Sequence, residues 1–246
     1  MELTGRGVLI TGGSRTGAAI ALALASAGAD VALSYNSSKA RIEKIADAVF
    51  ESGRKAIVIK GDLSRSGDCV RLVHEAARGL GRLDILLNMA SVYRRKAYDQ
   101  LRESDWDGGL AVDLKACFLC AQEAVPYMRS RGGGRIVNFT DWIAASGRPR
   151  YMGFLPYYVA KCGVIALTEA LALELAEDGI LVNAVAPGPI SPPEDFDRTE
   201  RTVVEQATPL GRWGGDKALV EAVRTLIDTD FMTGETIRVD GGRHLR

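Results

Sequence analysis

The chain has 246 residues, 47% hydrophobic and 25% charged, and its thirty-one basic side chains are matched by thirty-one acidic ones. With zero formal charge and no basic run longer than Arg94-Arg95-Lys96, it lacks the surplus that nucleic acids or anionic membranes demand of a partner. No stretch reaches the ~18 apolar residues of a membrane span, the first residues lack the layout of a secretion signal, and the four scattered cysteines do not form a disulfide framework; a cytoplasmic protein is expected.

Taken in chain order, short β-rich runs alternate with helical patterns. Strands are expected over 7–11, 31–35, 56–60, 84–88, 135–140, 181–186 and 235–239, and helices over about 17–28, 40–52, 66–79, 100–131, 157–177 and 214–228. Alternation of this kind builds βαβ units and a doubly wound, mainly parallel sheet with helices on both faces. No linker or repeat interrupts it, so 1–246 reads as a single α/β domain. Two features are local. Cys117-x-x-Cys120 has the spacing of a redox pair or half a metal site, but its apolar helical surroundings favour two buried structural thiols. Pro187, Pro189, Pro192 and Pro193 follow the sixth strand and exclude helix or interior strand there. Loops after the carboxyl ends of such strands border the ligand crevice, so about 188–207 is expected to cover a substrate.

The first strand runs into Thr11-Gly12-Gly13-Ser14-Arg15-Thr16-Gly17 and then an alanine-rich helix. Strand, glycine loop and helix point backbone amides and the positive helix end at a phosphate. Gly12 and Gly17 have P-loop spacing, but Ala18 and Ala19 stand where a P-loop needs Lys and Ser/Thr. A dinucleotide site is the better reading. Enzymes that use NAD place an acid at the end of the second strand, on the ribose 2′-hydroxyl; here that strand ends in Asn36-Ser37-Ser38, and Asp30 lies at its other end. Arg15 with the Asn36–Ser38 donors suits a 2′-phosphate instead, and NADP(H) is the expected cofactor.

Tyr157 and Lys161 are four residues apart, which puts both side chains on one helix face. An ammonium beside a phenol is expected to lower its pKa from about 10 and fit it for proton transfer near neutrality. Together with Thr11-Gly12, Asp62-Leu63, Asn88-Met89-Ala90, Pro187-Gly188 and Val239-Asp240-Gly241-Gly242, this pair resembles the short-chain dehydrogenase/reductase family from end to end. The resemblance implies a Rossmann-type fold. It implies Asp62 and Leu63 around the adenine, Asn88 and Ala90 along the cofactor, Lys161 on the nicotinamide ribose, and Pro187, Gly188 and Ile190 against the nicotinamide. Tyr157 would be the general acid as hydride passes to a substrate carbon. A homotetramer paired through the helices at about 107–131 and 157–177 is also implied, with Val164, Leu167, Leu171 and Leu175 as an apolar stripe.

The chain departs from the family pattern in places that bear on the substrate. The glycine loop is a residue shorter than usual, with Thr16 before Gly17; N-N-A-G reads Asn88-Met89-Ala90-Ser91. Asp113 takes the place of an asparagine whose backbone carbonyl commonly holds a relay water, and Asp141 that of a serine. Three extra residues separate Asp141 from Tyr157. Asp141, Ser91 and the aromatic Tyr93 look like the pteridine reductases, with Asp141 accepting from an amino-pyrimidine edge and Tyr93 covering the ring. The favoured expectation is therefore an NADPH-dependent oxidoreductase acting on a pterin C=N. The alternatives are a carbonyl reductase of 3-oxoacyl or sugar-like ketones and a catalytically silent NADP-binding regulator.

Overall fold

Runs such as Val8-Leu9-Ile10 and Leu86-Leu87 carry no polar face, so the strands they form are stable only with both sides covered. In the computed structural model, which describes every residue except Ser14 and Glu194, the strands are β1 (Gly7–Thr11), β2 (Asp30–Tyr35), β3 (Ala56–Lys60), β4 (Ile85–Asn88), β5 (Gly134–Phe139), β6 (Ile180–Pro187) and β7 (Thr236–Val239). They form one sheet in the order β3-β2-β1-β4-β5-β6-β7, and all of its pairings are parallel. The helices are α1 (Gly17–Ser26), α2 (Lys39–Glu51), α3 (Ser66–Leu80), α4 (Glu103–Leu110), α5 (Ala116–Arg129), α6 (Trp142–Ala145), α7 (Leu155–Glu174), α8 (Arg198–Gln206) and α9 (Asp216–Asp228).

Two apolar layers sandwich the sheet. Val8 and Ile10 face α1, α2 and α9 through Ile20, Leu24, Ile42 and Val223, whereas Leu9 between them faces α3, α5 and α7 through Leu72, Met128 and Ala172. That alternation along one strand is the period of two of a pleated chain. Each fully buried aliphatic side chain contributes roughly 1.5–3 kcal/mol. Cys69, Cys117 and Cys120 are buried thiols, and Cys69 and Cys120 lie in the same apolar layer.

The seven expected strands are all present, and four differences are informative. The helix expected over 100–131 runs as α4, a wider π-helical turn (Ala111–Lys115) and α5. The final helix pattern starts at Asp216, after the turn-forming Gly214-Gly215, rather than at 214. Two helices were not expected. Asp141 starts α6 by accepting from the Ile143 amide at 2.8 Å. Asp197 and Glu200 start α8 through a reciprocal capping box at 2.8 and 2.9 Å, so the segment after the prolines ends in a helix and is not loop throughout. Val164 and Leu175 are buried in the chain's own fold and Leu171 packs against its core, whereas Leu167 is half-buried and belongs to neither apolar layer.

Candidate active site

The register aligns Thr11 with Asn88, Asn88 with Asn138, Phe139 with Val185, and Pro187 with Val239, so these strands end along one edge. A cavity of about 1370 Å³ opens there, at the point where the strand order reverses between β1 and β4. Gly12 has φ +67°, and a Cβ on it would stand 2.8 Å from the Ala90 Cα. Only glycine fits this crossing of two loops. Its amide donates to Ser34 Oγ at 3.1 Å, and Thr11 Oγ1 accepts from the Met89 amide at 3.1 Å, which ties the three strand ends together. Thr16 precedes α1 without capping it through its side chain, and the first turn holds no acid.

Arg15 and Thr16 line this end of the cavity beside Asn36, Ser37 and Ser38; Asp62 and Leu63 follow, then Ala90, then Pro187, Gly188 and Ile190. A row of amides and hydroxyls, then an acid and an aliphatic wall, fits an extended dinucleotide. A Cβ at Gly188 would meet the Asp240 Cβ at 2.6 Å, so that wall too depends on a bare backbone. Two expected cofactor residues stand apart from it, and a third cannot be placed on it. Ser14 lies outside the described residues. Gly17 is buried against Met89, where a Cβ would sit 3.6 Å from its Sδ; its role is close packing of α1. Asn88 is buried, with Nδ2 donating to Asn138 Oδ1 at 2.9 Å and the Cys117 carbonyl at 3.4 Å. It buttresses the crevice from below and is absent from the wall.

At the other end, Tyr157 and Lys161 project from the first turns of α7, whose second residue, Pro156, is preset for a helix. Tyr157 Oη donates to Asp141 Oδ2 at 2.7 Å. Lys161 is buried, its Nζ donating to the Phe139 carbonyl at 2.8 Å and pairing with Asp113 Oδ1 at 3.2 Å. An ammonium has three donors, so one remains for a ligand. The Lys161 Nζ lies 5.6 Å from the centre of the Tyr157 ring. Burial pushes the Tyr157 phenol well above its ordinary pKa, and the Asp141 carboxylate adds to this. This reverses the expected depression: desolvation and the neighbouring acids outweigh the lysine. Burial likewise raises the Asp141 carboxyl, against the Ile143 amide, Tyr157 and Lys161.

Asp113 sits in the π-helical turn, fully buried. Its carboxylate accepts from Ser91 Oγ and from the Val92 amide at 3.0 Å, while its carbonyl accepts from Cys117 Sγ at 3.5 Å. Its side chain is thus the counter-ion of Lys161. Tyr93 stacks on Phe154 (centroids 4.3 Å apart, planes at 15°) and sets its ring at 79° to Tyr157, 4.8 Å away. One face expected to cover a substrate ring is therefore taken by Phe154. The sequence reading missed Phe154, Ser91 as an Asp113 partner, Asn138, and Thr168, which accepts from Asn138 at 3.0 Å. Phe154 lies in the noted insertion, which was its one available signal.

A family model described as enoyl-(acyl carrier protein) reductase matches residues 14–244. A 3-oxoacyl-[acyl-carrier-protein] reductase of Staphylococcus aureus is 35% identical over 251 residues, covering all of both chains. The corresponding reductase of Synechocystis is 34% identical over 98% of this chain and 97% of that one. Among solved structures, a short-chain dehydrogenase/reductase of Serratia marcescens superposes with a TM-score of 0.91 at 33% identity, over 99% of this chain and 100% of that chain. A blue fluorescent protein from a metagenomic library, in complex with NADPH, gives 0.90 at 29%, over 99% of each. These relatives favour the carbonyl-reductase alternative over the pterin expectation. Matched in fold and along its length, the chain belongs to the short-chain dehydrogenase/reductase family of oxidoreductases.

Proposed function

We propose that the protein is an NADP(H)-dependent reductase of carbonyl compounds, related in chemistry to the 3-oxoacyl reductases it resembles. The observation that carries this reading is the convergence of Tyr157, Lys161 and Asp141 on one end of the cavity whose other end is the Gly12 crossing. Bound NADPH supplies the hydride. Tyr157 supplies the proton from Oη to the substrate oxygen, and Lys161 stabilises the phenolate left behind. Asp141, whose hold on a proton is strengthened by burial, stands 2.7 Å from that oxygen to return one. An ionised Asp141 would repel a developing oxyanion, so a ketone substrate requires the neutral acid here.

The Asp141–Tyr157 bond also favours a second reading, since a carboxylate can accept from the ring nitrogens of a reduced pterin. Assays of NADPH oxidation with 3-oxoacyl thioesters, simple ketones, dihydrobiopterin and dihydrofolate separate the two. Tyr157→Phe is expected to cut turnover about 10²–10⁴-fold while leaving NADPH affinity within threefold. A Phe variant as fast as the parent removes Tyr157 from the chemistry; turnover confined to pterins replaces the first reading with the second.

A further inference from the structure

The segment between Asp141 and Tyr157, longer than the family spacing, builds a wall the cofactor and acid–base roles leave unused. Arg150 from this segment and Arg243 from the C-terminal segment flank the buried Trp142 ring, with guanidinium carbons 5.4 and 5.6 Å from its centre. Both arginines line the large cavity, and Arg150 also lines the small recess that contains Tyr157, Asp141 and Lys161. Neither forms an ion pair with any described residue. Arg150 Nη2 donates to the His244 carbonyl at 3.0 Å, while its Nε is buried with no described partner. Arg243 donates to the Val204 carbonyl at 2.9 Å, Thr208 Oγ1 at 3.4 Å and Tyr151 Oη at 3.3 Å.

The nearby carboxylates are committed elsewhere. Asp240 holds the His244 ring at 2.7 Å and the Gly242 amide at 3.0 Å. Glu200 closes the α8 capping box, and Asp141 is taken by Tyr157. Two half-buried guanidinium groups therefore face one aromatic ring with no countercharge among the described residues, next to the acid of the reaction. Planar guanidinium forks match carboxylate and phosphate oxygens. Resting on the carbonyl-reductase reading and narrowing it, we infer that Arg150 and Arg243 form a subsite for an anionic oxygen group on the substrate. The substrate class is then a small carbonyl compound bearing a carboxylate or phosphate.

The test pairs charged ketones with neutral isosteres: pyruvate, acetoacetate, 4-oxopentanoate and 5-oxohexanoate against their methyl esters, and dihydroxyacetone phosphate against dihydroxyacetone. At least one charged member should exceed its neutral partner tenfold in kcat/KM, and Arg150→Gln should collapse that ratio to within threefold. Because Arg243 also ties the C-terminal segment to α8, Arg150→Lys is the second variant; keeping charge without the fork, it should retain part of the ratio. Binding is read separately by calorimetry with glutarate and with inorganic phosphate, neither of them reducible. Wild-type protein should bind at least one, and Arg150→Gln at least tenfold more weakly. Anion binding lost in Arg150→Gln, with no ketone reduced, sinks the reductase reading and leaves the subsite standing. Ketone reduction without charge preference, and with no anion bound, overturns the subsite alone.

Discussion

Asp113 shows how far one side chain can change the electrostatics of a shared framework. It is fully buried and faces Lys161 at 3.2 Å, so part of the lysine's charge is cancelled before it reaches Tyr157. Its own charge also helps to raise the Tyr157 pKa, after burial and Asp141. Asp113→Asn removes that contribution and frees the lysine, and both changes favour the phenolate. In the alcohol-oxidising direction, where Tyr157 must be ionised to accept a proton, the rising limb of kcat/KM against pH should move to lower pH. A shift of roughly one unit, equivalent to about 1.4 kcal/mol, is expected. An unmoved limb would mean that Asp113 does not act on Tyr157. The place of Tyr157 and Lys161 on one helix face was legible from their spacing alone. The direction of the phenol's shift was not, because it depends on burial and on acids contributed by other elements.

At the level of elements, the ends of the strands away from the crevice are pinned by charge. Asp84, immediately before β4, is fully buried. It accepts from Arg82 twice at 2.6 Å, from the Gly7 amide at 2.9 Å and from Arg6 at 3.1 Å, joining the starts of β1 and β4. Burial works to raise its carboxyl, but these donors prevail and hold it below the usual range. Asp84→Ala should cost about 2–4 kcal/mol in urea unfolding at neutral pH, less than a wholly buried pair because both arginines keep some access to water. A carboxyl with a depressed folded pKa stabilises above its unfolded value of about 3.9, and that stability is lost as pH falls through the folded pKa. The gap between wild type and variant should therefore close in acid; a gap unchanged at pH 2 would contradict this account. The strands themselves were readable because continuous apolar runs have one stable placement. The lone carboxylate at 84 was readable only as a strand residue, since its donors come from Arg6 and Gly7 at the start of β1 and from Arg82 in the preceding turn. Asp197 and Glu200 did carry a capping signature, overshadowed by the prolines before them. The π-helical turn that buries Asp113 leaves no mark in local sequence; it packs closely on α7, where a Cβ at Gly163 would sit 2.7 Å from Leu114.

Across the whole molecule, the parallel sheet does the work of assembly, bringing to one edge residues as distant as Gly12, Asp62, Asp141 and Pro187. That convergence was legible from the βαβ pattern, whereas the wall contributed by Arg150 and Arg243 was not, because nothing local joins an insertion to a C-terminal segment. The same topology bears on the proposed preference for NADP(H). β1 and β2 are neighbours, with Gly7 opposite Asp30, so the loops leaving their far ends share one corner of the cavity: Arg15 from the first, Asn36, Ser37 and Ser38 from the second. Asp30, the acid on β2, lies at the opposite end, bound to Arg54 at 2.8 Å and the Lys55 amide at 2.9 Å. It cannot serve a ribose hydroxyl. A 2′-phosphate placed at that corner would meet a cation and hydroxyl donors, where an NAD ribose would find no carboxylate. A charged contact of this kind contributes about 1.5–3 kcal/mol, or roughly 10–150-fold in affinity. NADPH should bind more tightly than NADH by that factor in fluorescence titration. Arg15→Ala should remove most of the difference by weakening NADPH while leaving NADH nearly unchanged. Equal affinities in the parent protein would show that the corner formed by the two loops does not read the phosphate.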